Sequence, residues 1–224
     1  MKKKYIYITT IFLIVFIFSS AHKSFSQDRI IIDSLLQVLE NSKQDTNKVM
    51  LLTNLAWKYR KLNNDTALIF CTEALKLSKK ISYKKGIFDS NFKMGLVYYY
   101  RGSNNDAINY YNKAVEQAKE LKYTKNTVRC YINIGLVYKA QGDFDEAINS
   151  YELGIKTSEE SKFNFGIAKC SQSIGIIHFN QGYYDKAMPY YQKALKIWEE
   201  IDNKSEMTAC HILIGRIYKK RNCE

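Results

Sequence analysis

"GLVYKAQGDFDEAINSYELGI", residues 135–155, decides how this chain folds. Phe144, Ala147, Ile148, Tyr151 and Ile155 fall at i, i+3, i+4, i+7 and i+11, which lines one face of a helix and would scatter over both faces of a strand. Just upstream, Tyr131, Ile134 and Tyr138 form a second helical stripe, and Gly142-Asp143 breaks the chain between the two. The stretch is therefore the centre of a helical hairpin.

The hairpin is copied. Gly95, Gly135, Gly175 and Gly215 stand 40 residues apart, as do Ala67, Ala107, Ala147 and Ala187. Residues 95–115 match residues 135–155 at nine of 21 positions. Self-similarity at such a period marks a solenoid, and 40 residues less two turns leave helices of about 17 or 18 residues, roughly 26 Å long. One Pro in 224 residues agrees with long helices. A Gly repeated in mid-helix, where it costs up to about 1 kcal/mol against Ala, predicts close approach of a neighbouring helix. Ala107, Ala147 and Ala187 are the expected facing positions, with Tyr98, Tyr138, Tyr111, Tyr151 and Tyr191 filling the wider gaps and their hydroxyls reaching the edge.

These residues resemble the tetratricopeptide repeat: a Gly, an aromatic three residues on, a turn, an Ala, an aromatic four further and a small residue three beyond. Gly135, Tyr138, Gly142, Ala147, Tyr151 and Gly154 fit it, as do Gly95, Tyr98, Ala107, Tyr111 and Ala114, and Gly175, Ala187, Tyr191 and Ala194. In the first copy Leu55 is aligned with the Gly and Cys71 with the aromatic. The family's usual unit is about 34 residues, so 40 looks like a longer-helix variant, similar to repeat portions of bacterial envelope sensor or scaffold proteins. The resemblance implies an all-α fold, a right-handed superhelical solenoid of antiparallel helix pairs. The units are expected at 46–85, 86–125, 126–165 and 166–205, with a final helix at 206–221. A leading helix at 27–45, apolar at Ile32, Leu35, Leu36 and Leu39, is expected as a cap. Ile212, Leu213 and Ile217 of the final helix are expected to lack a covering helix, which suggests self-association there or a shortened ancestor.

Residues 1–26 read as an export signal. Lys2, Lys3 and Lys4 precede an apolar run from Ile6 to Phe18, and Ser24-Phe25-Ser26 offers a cleavage site before Gln27, with a cut after Ala21 as the alternative. The run is shorter than the roughly 20 residues of a spanning helix. Cleavage implies a bacterial periplasmic protein, and an uncleaved segment implies anchoring in the inner membrane. Loss of four Lys lowers the formal charge from +12 to +8. Spread over many helices, that charge suits an acidic partner surface and is too diffuse for nucleic acid.

Catalytic and metal motifs are missing from the sequence. Cys130, Cys170 and Cys210 recur at 40 residues, so they occupy equivalent places on helices that pack about 8–10 Å apart, beyond the roughly 7 Å limit for a disulfide. They read as small buried residues, while Cys71 and Cys223 stay unpaired, the latter a candidate for cross-linking two chains. His178 stands where Tyr98 and Tyr138 do and reads as a packing aromatic. Asp143-Phe144-Asp145 lacks the Gly of a calcium loop, Ile148 being in its place. No phosphate loop or nucleophile motif occurs. No enzyme activity, cofactor or metal is expected.

The resemblance places function on the inner wall, which in such solenoids is lined by the first helices. The wall positions carried over are Tyr59, Arg60, Phe92, Tyr99, Tyr100, Arg129, Ile132, Lys139, Lys169, Gln172, Phe179, Asn180, Arg216 and Lys219. Aromatics and Arg anchor interfaces, and the cations suit a protein or peptide with acidic groups. The family's carboxylate clamp needs an Asn after the Gly, where this chain has Leu96, Leu136 and Ile176. The sequence thus predicts an exported, non-catalytic binding module, with the sensor part of a membrane-associated regulator lacking its output domain as the alternative.

Overall fold

The computed structural model describes residues 29–221. The expected signal segment and Cys223 lie outside the described residues. Helix α1 covers 29–40. There follow α2 (Thr46–Tyr59), α3 (Asn64–Lys80), α4 (Lys84–Arg101), α5 (Asn104–Glu120), α6 (Thr124–Gln141), α7 (Phe144–Glu160), α8 (Asn164–Asn180), α9 (Tyr184–Glu200) and α10 (Lys204–Arg221). Among the described residues there is no strand. The chain is an all-α solenoid in which α2/α3, α4/α5, α6/α7 and α8/α9 are antiparallel hairpins, each stacked on the next.

The turns repeat as faithfully as the helices. Inside the hairpins, Gly102, Gly142 and Gly182 take φ of 83°, 88° and 82°, a left-handed conformation that L side chains resist. Between hairpins, Ser82, Lys122, Lys162 and Asp202 hold φ of 54°, 56°, 54° and 50°. The next amide in each case closes the helix end, as in Tyr123 N–H donating to the Ala118 carbonyl at 2.8 Å. Pro189 lies inside α9, not at a break. It is exposed, so the carbonyl of Asp185 that loses its partner can turn to water.

The mid-helix glycines face rings, not alanines. A Cβ on Gly95, Gly135 or Gly175 would stand 2.7, 2.6 and 2.6 Å from the rings of Tyr111, Tyr151 and Tyr191. Those rings are at most 1% exposed, so their hydroxyls do not reach the edge. The hydroxyl of Tyr191 is buried without a hydrogen-bond partner, and that of Tyr151 has the Ser173 side chain beside it. The helix-to-helix gap is set by the thickness of an aromatic ring, and Gly is the residue that lets the ring in.

The first hairpin follows the same plan in a register shifted by one. Asn63 N–H donates to the Tyr59 carbonyl across four residues, whereas Ser103 N–H donates to Tyr98, Asp143 to Tyr138 and Tyr183 to His178 across five. Likewise a Cβ on Gly86 would meet Ser78 and Val49, and one on Gly166 would meet Ser158 and Val128: two of the three pairs are 80 apart and the last 79. From Tyr59, whose carbonyl closes α2, to the start of α3 is five residues, against six from Tyr98, Tyr138 and His178 to the next helix, and no left-handed Gly lies between. The counterpart of Gly95 is therefore Ala56, not Leu55. Ala56 and Cys71 are both fully buried, a small pair in place of the Gly and Tyr of other copies.

At the end of the stack, Ile212 and Tyr218 are exposed at 59% and 53%, and Gly215 has nothing within 4 Å of an added Cβ. Ile217, expected to be uncovered, is instead fully buried among Phe179, Ala187, Met188 and Tyr191, because it turns back onto the preceding hairpin. At the start, Ile32 is buried and Leu35, Leu36 and Leu39 are half-buried, as the leading-helix stripe requires.

Candidate functional site: the inner wall

First helices of successive hairpins touch one another, α2 with α4, α4 with α6 and α6 with α8, while the second helices make no comparable approach to each other. The stack therefore closes on the first-helix side, and that side is the inner wall.

Side chains cross this wall from helix to helix, mostly as cations over rings. The Lys93 ammonium of α4 lies 4.2 Å from the Trp57 ring centre of α2. The Arg60 guanidinium lies 3.4 Å over Trp57 and 5.6 Å from Tyr100, and it donates to the Trp57 carbonyl. Lys61 lies 5.3 Å from Tyr100. Arg129 of α6 stands 5.1 Å over Phe92 of α4, and Arg216 of α10 stands 4.8 Å over Phe179 of α8. Each contact is worth roughly 0.5–2 kcal/mol depending on how dry it is.

The expected wall residues separate along the stack. Arg60 reaches Tyr100 of α4, which stands edge to face with Tyr99 at 5.8 Å, and Arg129 lies over Phe92 farther along the same helix. Phe92, Gln172 and Phe179 are buried, so they form floor and not contact surface: Phe92 packs on Phe88 and Tyr111 at 6.0 and 5.6 Å, Phe179 on Tyr184 at 5.4 Å. Lys169 is held by Glu206 at 2.8 Å. Ile132 and Lys139 are half-buried along α6, while Asn180, Arg216 and Lys219 are exposed at the far end.

Tyr59 is not on the wall. It packs inside its hairpin against Phe70 at 5.7 Å, as Tyr98 does against Tyr110 at 5.3 Å and His178 against Tyr190 at 5.7 Å. The shorter turn moves the first helix by one residue, so Arg60 and Lys61 occupy the places of Tyr99 and Tyr100, and Trp57 the place of Leu96. Trp57, Lys61, Asp89 and Lys93 were missed by the sequence reading. The absence of a Gly from "RKLNND", residues 60–65, is the signal that could have found Trp57 and Lys61, while Asp89 stands one 40-residue step before Arg129 and two before Lys169.

The wall is electropositive around Lys93. Burial lowers the Lys93 ammonium from its ordinary range, Asp89 opposes that, and Arg129 and Arg60 lower it further. Burial also raises Asp89, against the pull of Lys85, Lys93 and Arg129. Lys139 is lowered by burial and then by Lys169. Like charges thus stand together at partial dryness, an arrangement relieved by an incoming anion.

Elsewhere, Cys71, Cys130, Cys170 and Cys210 are buried free thiols, the first three pushed up to about 12 and Cys210 to about 11 by burial. Such thiols are poor nucleophiles. Among the described residues no group of three or more His, Cys, Asp or Glu could hold a metal ion. Among them, too, no helix is long and apolar enough to cross a membrane.

The model of the tetratricopeptide repeat family matches residues 87–160, and a second model of that description matches residues 167–201. The chain is a tetratricopeptide repeat protein. No curated protein matches its sequence. Among solved structures, this tetratricopeptide repeat protein is similar to the apo form of RapI, with TM-score 0.71 and 22% identity over 85% of this chain and 54% of RapI. A Rap protein complexed with Competence and Sporulation Factor matches with TM-score 0.69 and 19% identity over 89% of this chain and 61% of that one. A signal transduction ATPase with a tetratricopeptide repeat sensor, from Pyrococcus horikoshii, matches with TM-score 0.74 and 17% identity over 86% of this chain and 31% of that one. The chain spans about half the length of RapI and a third of the ATPase, and at these identities the likeness is one of fold.

Proposed function

We propose that this protein is a non-catalytic, exported interaction module that docks an acidic peptide or protein segment on its inner wall. The observation that carries the reading is the contiguous surface of Trp57, Arg60, Lys93, Tyr100 and Arg129, drawn from three first helices, in which cations stand over rings and Asp89 is the acid among them. Tetratricopeptide repeat membership supports binding as the activity, as does a structural relative solved in complex with Competence and Sporulation Factor. Export to a bacterial periplasm rests on the basic and apolar pattern of residues 1–26.

The test is a pull-down from envelope extracts with the full chain, its Tyr99→Ala/Tyr100→Ala/Arg129→Ala variant and an outer-face control, Ile69→Ala/Leu153→Ala. A partner kept by the native protein and the control but lost by the folded wall variant supports the reading. A partner lost only by the control moves binding to the outer face and refutes it.

A second reading, the sensor part of a membrane-associated regulator, draws support from the ATPase whose tetratricopeptide repeats form its sensor. N-terminal sequencing separates the two: a mature start at Gln27 favours the soluble module, and retention of residues 1–26 in the membrane fraction favours the sensor.

A further inference from the structure

The two ends of the wall are in different states. At the α8–α10 end the groups are already used: Lys169 is bonded to Glu206 at 2.8 Å, and the Phe179 ring, 8% exposed, is roofed by Arg216. At the α2–α6 end the rings keep exposed area, Trp57 at 38% and Tyr100 at 40%, even with Arg60 and Lys93 lying over Trp57. There, Arg60, Lys61, Lys93 and Arg129 lie over rings, and among the described residues no ion pair within 4.0 Å takes up any of the four. A cation over a ring keeps its charge and most of its donors, so a carboxylate can still form charge-assisted hydrogen bonds to it.

We propose that the partner's footprint is confined to α2, α4 and α6 and that it is an extended acidic segment carrying an aromatic or large aliphatic residue, which packs on the exposed parts of Trp57 and Tyr100. The inference rests on the inner-wall reading above and narrows it. Three first helices about 8–10 Å apart span roughly 18 Å, the length of about six extended residues. Carboxylates on either side of the apolar residue meet Arg60 and Lys61 on one flank and Lys93 and Arg129 on the other. The α8–α10 end has a cavity of about 330 Å³ lined by Phe179, Arg216, Lys219 and Lys220, but its ring is 8% exposed under Arg216, against 38% and 40% at Trp57 and Tyr100.

The experiment uses the full chain and one probe, the fluorescein-labelled peptide Glu-Phe-Glu-Glu-Phe-Glu, read by fluorescence anisotropy. Its Lys-Phe counterpart serves as the charge control. Lys93→Gln/Arg129→Gln should weaken binding by about tenfold or more, and Lys169→Gln/Arg216→Gln by less than about threefold, given two lost charge-assisted contacts in the first case. A melt followed by circular dichroism checks that each variant folds. Trp57 gives a second readout: probe binding should change tryptophan emission, and Trp57→Phe, which leaves the fully buried Trp198, should abolish the change. Equal weakening by both pairs would overturn the half-wall footprint while leaving the inner-wall reading in place. Binding indifferent to both pairs would overturn the two together. Equal binding of the Lys-Phe peptide, or no binding of the acidic one, would overturn the acidic chemistry, with the inner wall then judged by the pull-down alone.

Discussion

The Tyr151 ring lies where a side chain on Gly135 would stand, 2.6 Å from an ideal Cβ, and Tyr111 on Gly95 and Tyr191 on Gly175 repeat the relationship. Gly215, at the same step, faces nothing within 4 Å. Gly→Ala should therefore have opposite signs at two sequence-equivalent places. Gly135→Ala is expected to destabilise by about 1–3 kcal/mol, since overpacking outweighs the gain in helix propensity. Gly215→Ala is expected to stabilise by up to about 1 kcal/mol. Urea unfolding of the two variants decides it.

The Ala56 and Cys71 pair should behave as the smaller form of the same joint. Cys71→Tyr alone is expected to destabilise by about 1–3 kcal/mol, because the Ala56 methyl stands where the other copies have none. Ala56→Gly/Cys71→Tyr should recover part of that loss, giving a coupling above about 0.5 kcal/mol in a double-mutant cycle. Additive effects would contradict the shifted register.

Stability should fall in alkali. The four buried thiols have folded-state values raised from 9.0 to about 12 at Cys71, Cys130 and Cys170 and about 11 at Cys210, with burial the leading cause. Since folding holds the proton, their contribution is complete below pH 9.0 and is lost as pH rises from there toward 12. Unfolding midpoints measured from pH 8 to 11 should drop, and less so when all four are Ala. In a Cys223→Ser background, Ellman's reagent should not label the native protein at pH 8.

His178 is a packing aromatic with a weakness. Its Nδ1 is buried without a partner, and burial, then Lys186, lowers its imidazole from the ordinary 6.5 against an opposing hydrogen bond with the Gln181 side chain. The neutral ring is favoured, so its contribution is present above pH 6.5 and is lost as pH falls below that. His178→Tyr, which reinstates the ring found at Tyr98 and Tyr138, should raise the melting temperature, with a larger gain at pH 5 than at pH 7.

The repeat, its helices and the buried cysteines were legible because each rests on a 40-residue identity or a 3.6-residue period. What stayed illegible depends on contact between copies. Nothing in Gly135 says whether an Ala or a ring faces it, and Lys169 reads as a free cation until Glu206, 37 residues on, is brought beside it. Tyr59 was assigned to the wall because the alignment kept the period at 40 through a turn that is one residue shorter. Trp57 was lost by the same step. Ile217 looked uncovered because the preceding hairpin, and not a following helix, buries it.

The account stands or falls on whether the partner lies against the inner wall. Its most direct measurement is photo-crosslinking in cells with the full chain carrying benzoylphenylalanine in place of Tyr100, on the wall, or Leu153, on the outer helix α7. The account predicts one discrete crosslinked species from position 100, suppressed by Lys93→Gln/Arg129→Gln, and none from position 153. A crosslink from position 153 with none from position 100 would contradict it.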